Sequence, residues 1–236
     1  MKLHIIVHES FEAPAAIELW AQNNQYPISY TRLYQGDHFP ETTENFDFLV
    51  IMGGPQSPAT TLGECPHFDA QKEIAFIKKA IDARKLLLGV CLGAQMIGEA
   101  LEAKFDHSPN REIGVFEVTL TEEGKRDPFF STIPEKFPVG HWHGDMPGLT
   151  SESKILAYSE GCPRQIVRYS PKIYGFQCHF EFTPEAIDGM IQHCGNELEE
   201  YATLPYIENA ETLQSHNYSP INDMLFRFLN YMTKLQ

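Results

Sequence analysis

Three segments of this chain, LHIIV (3–7), FDFLVIM (46–52) and LLLGV (86–90), are short and apolar but for His4 and Asp47, rather than alternating with polar residues. A strand with apolar side chains on both faces has to be covered on both, which is what a parallel sheet between two helical layers provides. The intervening sequence supplies the cover. A helical stretch is expected around 12–22, and Phe68, Ile74, Ile77 and Ile81 lie at helical spacing within 67–83. LGAQMIGEALEA starts a helix directly after LLLGV. With ISYTRL (28–33) as a further strand, the first half predicts an α/β fold, a doubly wound and mostly parallel sheet flanked by helices. Ligands are then expected at the C-terminal ends of the strands.

The second half reads as more antiparallel, with strands predicted at FEVTL (116–120), ILAYS (155–159), QIVRYS (165–170) and KIYGFQCHFE (172–181). Helices are expected at about 184–200 and 219–234, the latter opening at Ser219-Pro220. The polar stretch 201–218 between them predicts an irregular surface connection. Its neighbour carries an apolar stripe (Ile221, Met224, Leu225, Phe228, Leu229, Met232) that has to be buried somewhere. The expected organisation is one domain over 1–195 with a helical extension over 196–236 packed on it.

Composition narrows the function classes. A formal net charge of -14, without a large Lys/Arg cluster, repels phosphate backbones and argues against a nucleic-acid partner. The opening MKLHIIVHES lacks the apolar core of a signal peptide, and no stretch approaches the roughly 20 apolar residues of a membrane span. Five scattered cysteines, an odd number, do not form a disulfide scaffold and suggest a reducing, cytoplasmic setting.

Among those cysteines, Cys91 stands apart. Gly89-Val90-Cys91-Leu92-Gly93 places it between glycines where a buried strand turns into a helix, a nucleophile elbow with cysteine in place of serine. Unpaired amides and the dipole at the helix N-terminus favour a thiolate there. The bland alternative is a small buried hydrophobe next to a break. A base could come from Gly175-Phe176-Gln177-Cys178-His179-Phe180-Glu181: on a strand, His179 and Glu181 project together, and the carboxylate can orient the imidazole. Taken alone, His-x-Glu is more often a surface polar pair. Met52-Gly53-Gly54-Pro55 ends another strand in a tight turn whose N–H can serve an oxyanion together with that of Leu92.

His141-Trp142-His143-Gly144-Asp145 has the look of a metal-binding run, but it continues with Met146 where another histidine is usual, and further ligands are not evident. No metal is expected. Arg111-Glu112-Ile113-Gly114 has no assignable chemistry, His4 and His8 are read as structural, and His193-Cys194 has no evident partner. The acidic run 197–200 is read as a solvated helix end.

In their order, Gly-Gly-Pro after a central strand, Gly-Val-Cys-Leu-Gly-Ala-Gln at the elbow and a late Gly-Phe-Gln-x-His-x-Glu resemble the signature of class I glutamine amidotransferases. The nearest likeness is to the glutaminase domain of GMP synthetase and its free-standing relatives, over residues 1 to about 195. The resemblance implies the flavodoxin-like fold of that family, with Cys91 as nucleophile, His179 as base and acid and Glu181 as orienter. It also implies the Gly54 and Leu92 amides as oxyanion hole and Gln95 as a contact to the substrate amide. On that reading His143, Gly144 and Asp145 form a loop bordering the pocket, where backbone groups receive the α-amino and α-carboxylate groups of the substrate. Where the family usually has an aromatic and a proline around the histidine, this chain has Cys178 and Phe180, which would put a second thiol beside the site.

The implied reaction is cleavage of the side-chain amide of glutamine, or of a related γ-glutamyl bond, through a cysteine thioester and without a cofactor. No nucleotide-binding motif for a fused synthetase is present. Three readings remain open: an ammonia donor to a separate synthetase, a self-sufficient γ-glutamyl hydrolase or peptidase, and a non-catalytic regulatory protein on the same fold. The intact Cys, His and Glu weigh against the last.

Overall fold

The computed structural model describes residues 1–236. Nine strands, β1 (Leu3–Val7), β2 (Ile28–Arg32), β3 (Phe48–Ile51), β4 (Leu86–Val90), β5 (Asp106–Leu120), β6 (Lys136–Met146), β7 (Lys154–Tyr158), β8 (Ile166–Ser170) and β9 (Ile173–Phe176), form one sheet. Its order is β2-β1-β3-β4-β9-β8-β7-β5-β6. The run from β2 to β9 is parallel, and every pairing beyond β9 is antiparallel. The sheet is therefore mixed, with the parallel part in the first-half strands and their pairing to β9.

The apolar runs divide between the two faces with strand periodicity. Leu3, Ile5, Val7, Val50, Leu88 and Val90 enter one core, which also receives α1 (Ala16–Asn23) and α7 (Ser219–Thr233). Ile6, Leu49, Ile51 and Leu87 enter the other, under α2 (Ala70–Asp82) and α3 (Leu92–Ala100). Helices α4 (Pro184–Cys194), α5 (Asn196–Glu200) and α6 (Ala210–Ser215) complete the C-terminal part. The stripe of α7 is buried: Ile221, Leu225, Phe228, Leu229 and Met232 lie in the same core as α1 and β1. No helix is long and apolar enough to cross a membrane.

Several sequence expectations need correction. The strand predicted over 172–181 stops at Phe176, and the five residues that follow, 177–181, lie outside it. The segment 143–145, expected as a loop, belongs to the end of β6, hydrogen-bonded to β5. Its alternation is hidden because His141, Trp142 and His143 are all buried. The stretch 201–218 is not simply irregular: it contains α6, buries Leu213 and Tyr218, and its Tyr206 carbonyl accepts from the Ile113 N–H at 2.8 Å. Polar composition misled here because α6 needs only Leu213 to anchor it.

Candidate functional site

β3 and β4 are neighbours in parallel register, Ile51 opposite Gly89, so the residues just past their C-terminal ends meet. Cys91 caps α3 with φ 51° and ψ -111°, a conformation that costs a non-glycine residue about 1–3 kcal/mol and is held by its surroundings. Those surroundings account for the flanking glycines. A Cβ on Gly89 would collide with the Gly93 carbonyl, and one on Gly93 with the Ile51 carbonyl. Cys91 is fastened by its N–H to the Phe176 carbonyl at 2.7 Å.

The Gly53-Gly54 turn follows β3 and is held by His8, whose Nδ1 bonds the Gly53 carbonyl at 2.9 Å while its Nε2 lies 3.1 Å from the buried Glu73 carboxylate. His8 is thus structural, and what it positions is this turn. The N–H groups of Gly54 and Leu92 make no hydrogen bond to backbone or side chain. The Leu92 side chain packs on Gly54, a Cβ there falling 3.0 Å from Leu92 Cδ2. Amides without a partner on either side of a cysteine are what an oxyanion needs.

His179 reaches Cys91 by a different route from the one its sequence suggests. Beyond β9 the chain bends, and His179 exchanges backbone hydrogen bonds with Gly140 of β6 at 2.8 and 3.0 Å. Asn222 of α7 donates to the carbonyls of Phe180 and Phe182, and the N–H of Ala16 to that of Glu181. The ring stacks on Phe182 at 4.1 Å between centroids. Nδ1 lies 2.6 Å from Glu181 Oε1, so Glu181 does face His179, by the loop's own bend rather than by strand alternation. Nε2 is buried without a hydrogen bond. Burial works against the imidazolium, but the Glu181 charge and hydrogen bond, with the Cys91 thiol, hold the His179 pKa well above its ordinary value. Burial raises the Cys91 pKa, opposed by the neighbouring His179.

Cys91 opens onto a cavity of about 120 Å³ lined also by Gly54, Gln56, Gln95, Trp142, His143, Gly144 and Asp145 among others. Gln95 donates through Nε2 to Gln177 at 3.1 Å and leaves its Oε1 unpaired, and Gln177 in turn donates to the Cys91 sulfur at 3.3 Å. A roomier groove of about 520 Å³, lined by Leu33, Phe39, Leu62 and Phe76, contains no cysteine and none of the predicted site residues.

Four lining residues were missed by the sequence reading or given no role there. Glu12, in the loop after β1, has its Oε2 2.7 Å from where a Gly53 Cβ would be, on the Cys91 side of the turn. Arg111 pairs with Glu197 at 2.7 Å and lies over the Tyr201 ring, so Glu197 is part of the cavity wall and not only a solvated helix end. Cys194 lines the cavity as well, whereas Cys178, expected beside the site, turns away and donates to the Gln165 carbonyl at 3.6 Å. No periodicity pointed to these residues, because each comes to the cavity from a different element.

A mixed sheet flanked by helices, with a strained cysteine at the end of a central parallel strand, has the fold of solved glutamine amidotransferases. A sequence model described as glutamine amidotransferase class-I matches residues 4–194, and the chain belongs to that family. The glutamine amidotransferase-like protein YfeJ of Salmonella typhimurium is 48% identical over 233 residues, covering 99% of this chain and 98% of YfeJ. The crystal structure of SMU.1228c superposes with a TM-score of 0.96 at 45% identity, covering 99% of this chain and 100% of that one. A glutamine-hydrolyzing GMP synthase component of Methanococcus maripaludis is 26% identical over 159 residues, 64% of this chain and 76% of that component.

Proposed function

We propose that this chain is a cysteine hydrolase that cleaves the side-chain amide of glutamine or a related γ-glutamyl bond, with Cys91, His179 and Glu181 as its catalytic residues. The observation that carries the reading is that the Cys91 elbow and the Gly54 turn line one small polar cavity, with the buried His179–Glu181 pair beside Cys91. In the first half-reaction His179 takes the thiol proton and Cys91 Sγ attacks the γ-carbonyl carbon. The Gly54 and Leu92 amides hold the oxyanion, each contributing on the order of 3–4 kcal/mol. His179 then delivers the proton to the departing nitrogen, the C–N bond breaks, and ammonia or an amine leaves a γ-glutamyl thioester. Water, deprotonated by His179, attacks the thioester, and the C–S bond breaks to give the free γ-carboxylate and restore the thiol. Glu181 keeps the imidazole in the tautomer that both steps need. Gln95 Oε1 and the wall of His143, Gly144 and Asp145 are suited to hold the substrate amide and its charged α-groups.

The fate of the nitrogen separates two versions of this function. Likeness to a GMP synthase component suggests delivery to a separate synthetase. We favour a self-sufficient hydrolase, because the apolar stripe of α7 is spent on the chain's own core and the cavity wall is completed by its own Glu197. Five free cysteines suit a reducing, cytoplasmic setting for either version. The test is to supply purified protein with glutamine and a panel of γ-glutamyl peptides and conjugates, without ATP. At least one should be hydrolysed, Cys91→Ala should abolish that turnover, and Cys194→Ala should retain most of it. A glutamine-like electrophile should label Cys91 in preference to Cys194, whose thiol pKa is pushed up to about 12 by burial and by Glu12 and Glu197. Turnover that survives in Cys91→Ala would refute the assignment, and turnover seen only with a partner added would refute self-sufficiency.

A further inference from the structure

Behind the wall of the cavity, β5 and β6 bring together His143 and two side chains, Glu112 and His141, that the sequence reading left without a function. Glu112 of β5 is the register partner of His143 on β6, and His141 projects on the same side as His143, two residues along. All three are buried. Glu112 Oε2 lies 3.3 Å from His143 Nε2 and 3.7 Å from His141 Nδ1, and the two ring nitrogens are 3.4 Å apart. An ion bound tetrahedrally at about 2.0–2.1 Å from each ligand needs ligand atoms about 3.3–3.4 Å apart, the edge of that tetrahedron. The triangle of ligand atoms already has close to those dimensions.

Hydrogen bonding alone leaves this cluster in conflict. The Gln165 Nε2 donor is 3.2 Å from His143 Nε2 and 2.6 Å from Glu112 Oε2. If His143 Nε2 accepts from Gln165, its lone pair also faces the Glu112 carboxylate; if it is protonated toward Glu112, it confronts the Gln165 donor. Around the same cluster Glu112 Oε1, His141 Nε2, His143 Nδ1 and Gln165 Oε1 are buried with no partner. That is an unusual concentration for a native interior, where buried polar groups are normally satisfied. A cation among the three ligand atoms removes the conflict. Because amide oxygen and nitrogen are interchangeable by a flip, Gln165 can then turn its oxygen inward as a fourth ligand, with the Ser159 hydroxyl, 2.9 Å from Nε2, donating to it. A second cavity, about 210 Å³ and bordered by Glu112, Glu117, Ser159 and Glu160, offers an acidic approach from outside.

We propose that Glu112, His141 and His143, with the Gln165 amide as fourth ligand, bind one divalent first-row transition-metal ion, best matched by zinc, that ties β5 to β6 behind the His143–Asp145 wall. Nitrogen and oxygen ligands in a tetrahedral set suit zinc over calcium or magnesium, which take six or more oxygens. This revises the expectation that His-Trp-His-Gly-Asp holds no metal. The further ligands are Glu112, across the β5–β6 ladder, and Gln165, just before β8, so a search along the motif could not find them. The site is independent of the proposed hydrolysis and its test does not use activity.

The protein is stripped with a chelator, dialysed against zinc, freed of loose metal by gel filtration and analysed for metal. Wild type and Cys91→Ala should each retain about one zinc per chain, while His141→Phe and Glu112→Gln should retain little. The phenylalanine preserves volume beside Phe116, whose ring is 5.8 Å from that of His141. A cooperative melting curve checks that this variant is folded, and zinc should raise the melting temperature of wild type but not of this variant. Cobalt in place of zinc should give visible d–d bands without a thiolate charge-transfer band. Equal zinc retention by wild type and a folded His141→Phe would overturn the proposal. So would a cobalt spectrum dominated by thiolate, which would place the ion on Cys91 or on the Glu9, Cys65 and His67 group.

Discussion

Glu12 is a buried carboxylate, 7% exposed, that shares a cavity with the candidate nucleophile and has no ion-pair partner. Burial, together with the Glu181 charge and against the opposing effect of His179, raises its pKa from 4.5 to about 7. A carboxyl that holds its proton more tightly when folded makes stability fall as pH rises from its unfolded pKa to its folded one, here between 4.5 and about 7. Above that window the wild type carries a cost of at most about 3 kcal/mol. Glu12→Gln removes it, so the variant should melt several degrees above wild type at pH 8 and nearly with it at pH 4. Thermal unfolding across that range checks the sign; a constant offset at both pH values would mean that Glu12 does not titrate in the window. At the same scale, Cys91 could be singled out by its neighbours in the chain, because an elbow is a local structure. Glu12 could not, since its relation to Cys91 exists only after β1 and β4 are placed in one sheet.

The elbow shows what one element demands of its neighbours. α3 lies so close to β3 that position 93 has no room for a side chain, and the obstacle is the backbone carbonyl of Ile51, which cannot swing away. Gly93→Ala should therefore cost on the order of 3 kcal/mol, measured by urea unfolding, and should displace Cys91. Gly189, inside α4, is the internal control: a Cβ there meets nothing closer than Phe11 at 3.9 Å. Gly189→Ala should be neutral or stabilising by up to about 1 kcal/mol. Similar losses for the two variants would show that the close approach of α3 to β3 is not what selects glycine at 93. The failed assignment of 172–181 as one strand belongs to this scale too. Ile173 to Phe176 and the residues after them are alike buried, but only the former find a ladder partner in β4.

The whole molecule is closed by its last helix. Phe228 packs against Phe129, Tyr174 and Phe176 with ring centroids 5.2, 5.1 and 4.8 Å away, so α7 fills the face of β9 rather than offering that face to a partner. Through Asn222 the same helix also steadies the loop that carries His179. Phe228→Ala should lower stability by roughly 3–5 kcal/mol, and hydrolysis should fall with it at temperatures where the variant begins to unfold. Loss of less than about 1 kcal/mol in chemical denaturation would mean that α7 is an appendage after all.

What this sequence determined by itself was whatever is local or periodic. The two-faced apolar runs determine the covered parallel strands, the glycines around Cys91 determine the elbow, and the i, i+3, i+4 stripe determines that the last helix is buried. Tertiary structure alone decided where residues distant in the chain would meet. It brought Glu12 from the loop after β1, Arg111 from β5 and Glu197 from α5 to one cavity. It also set Glu112 opposite His143 and turned Cys178 away from the site where Cys194 faces it. The reason is that register across an antiparallel ladder and the bend of a loop depend on the hydrogen bonds of the partner strand, which leave no mark on the residues of either segment read alone.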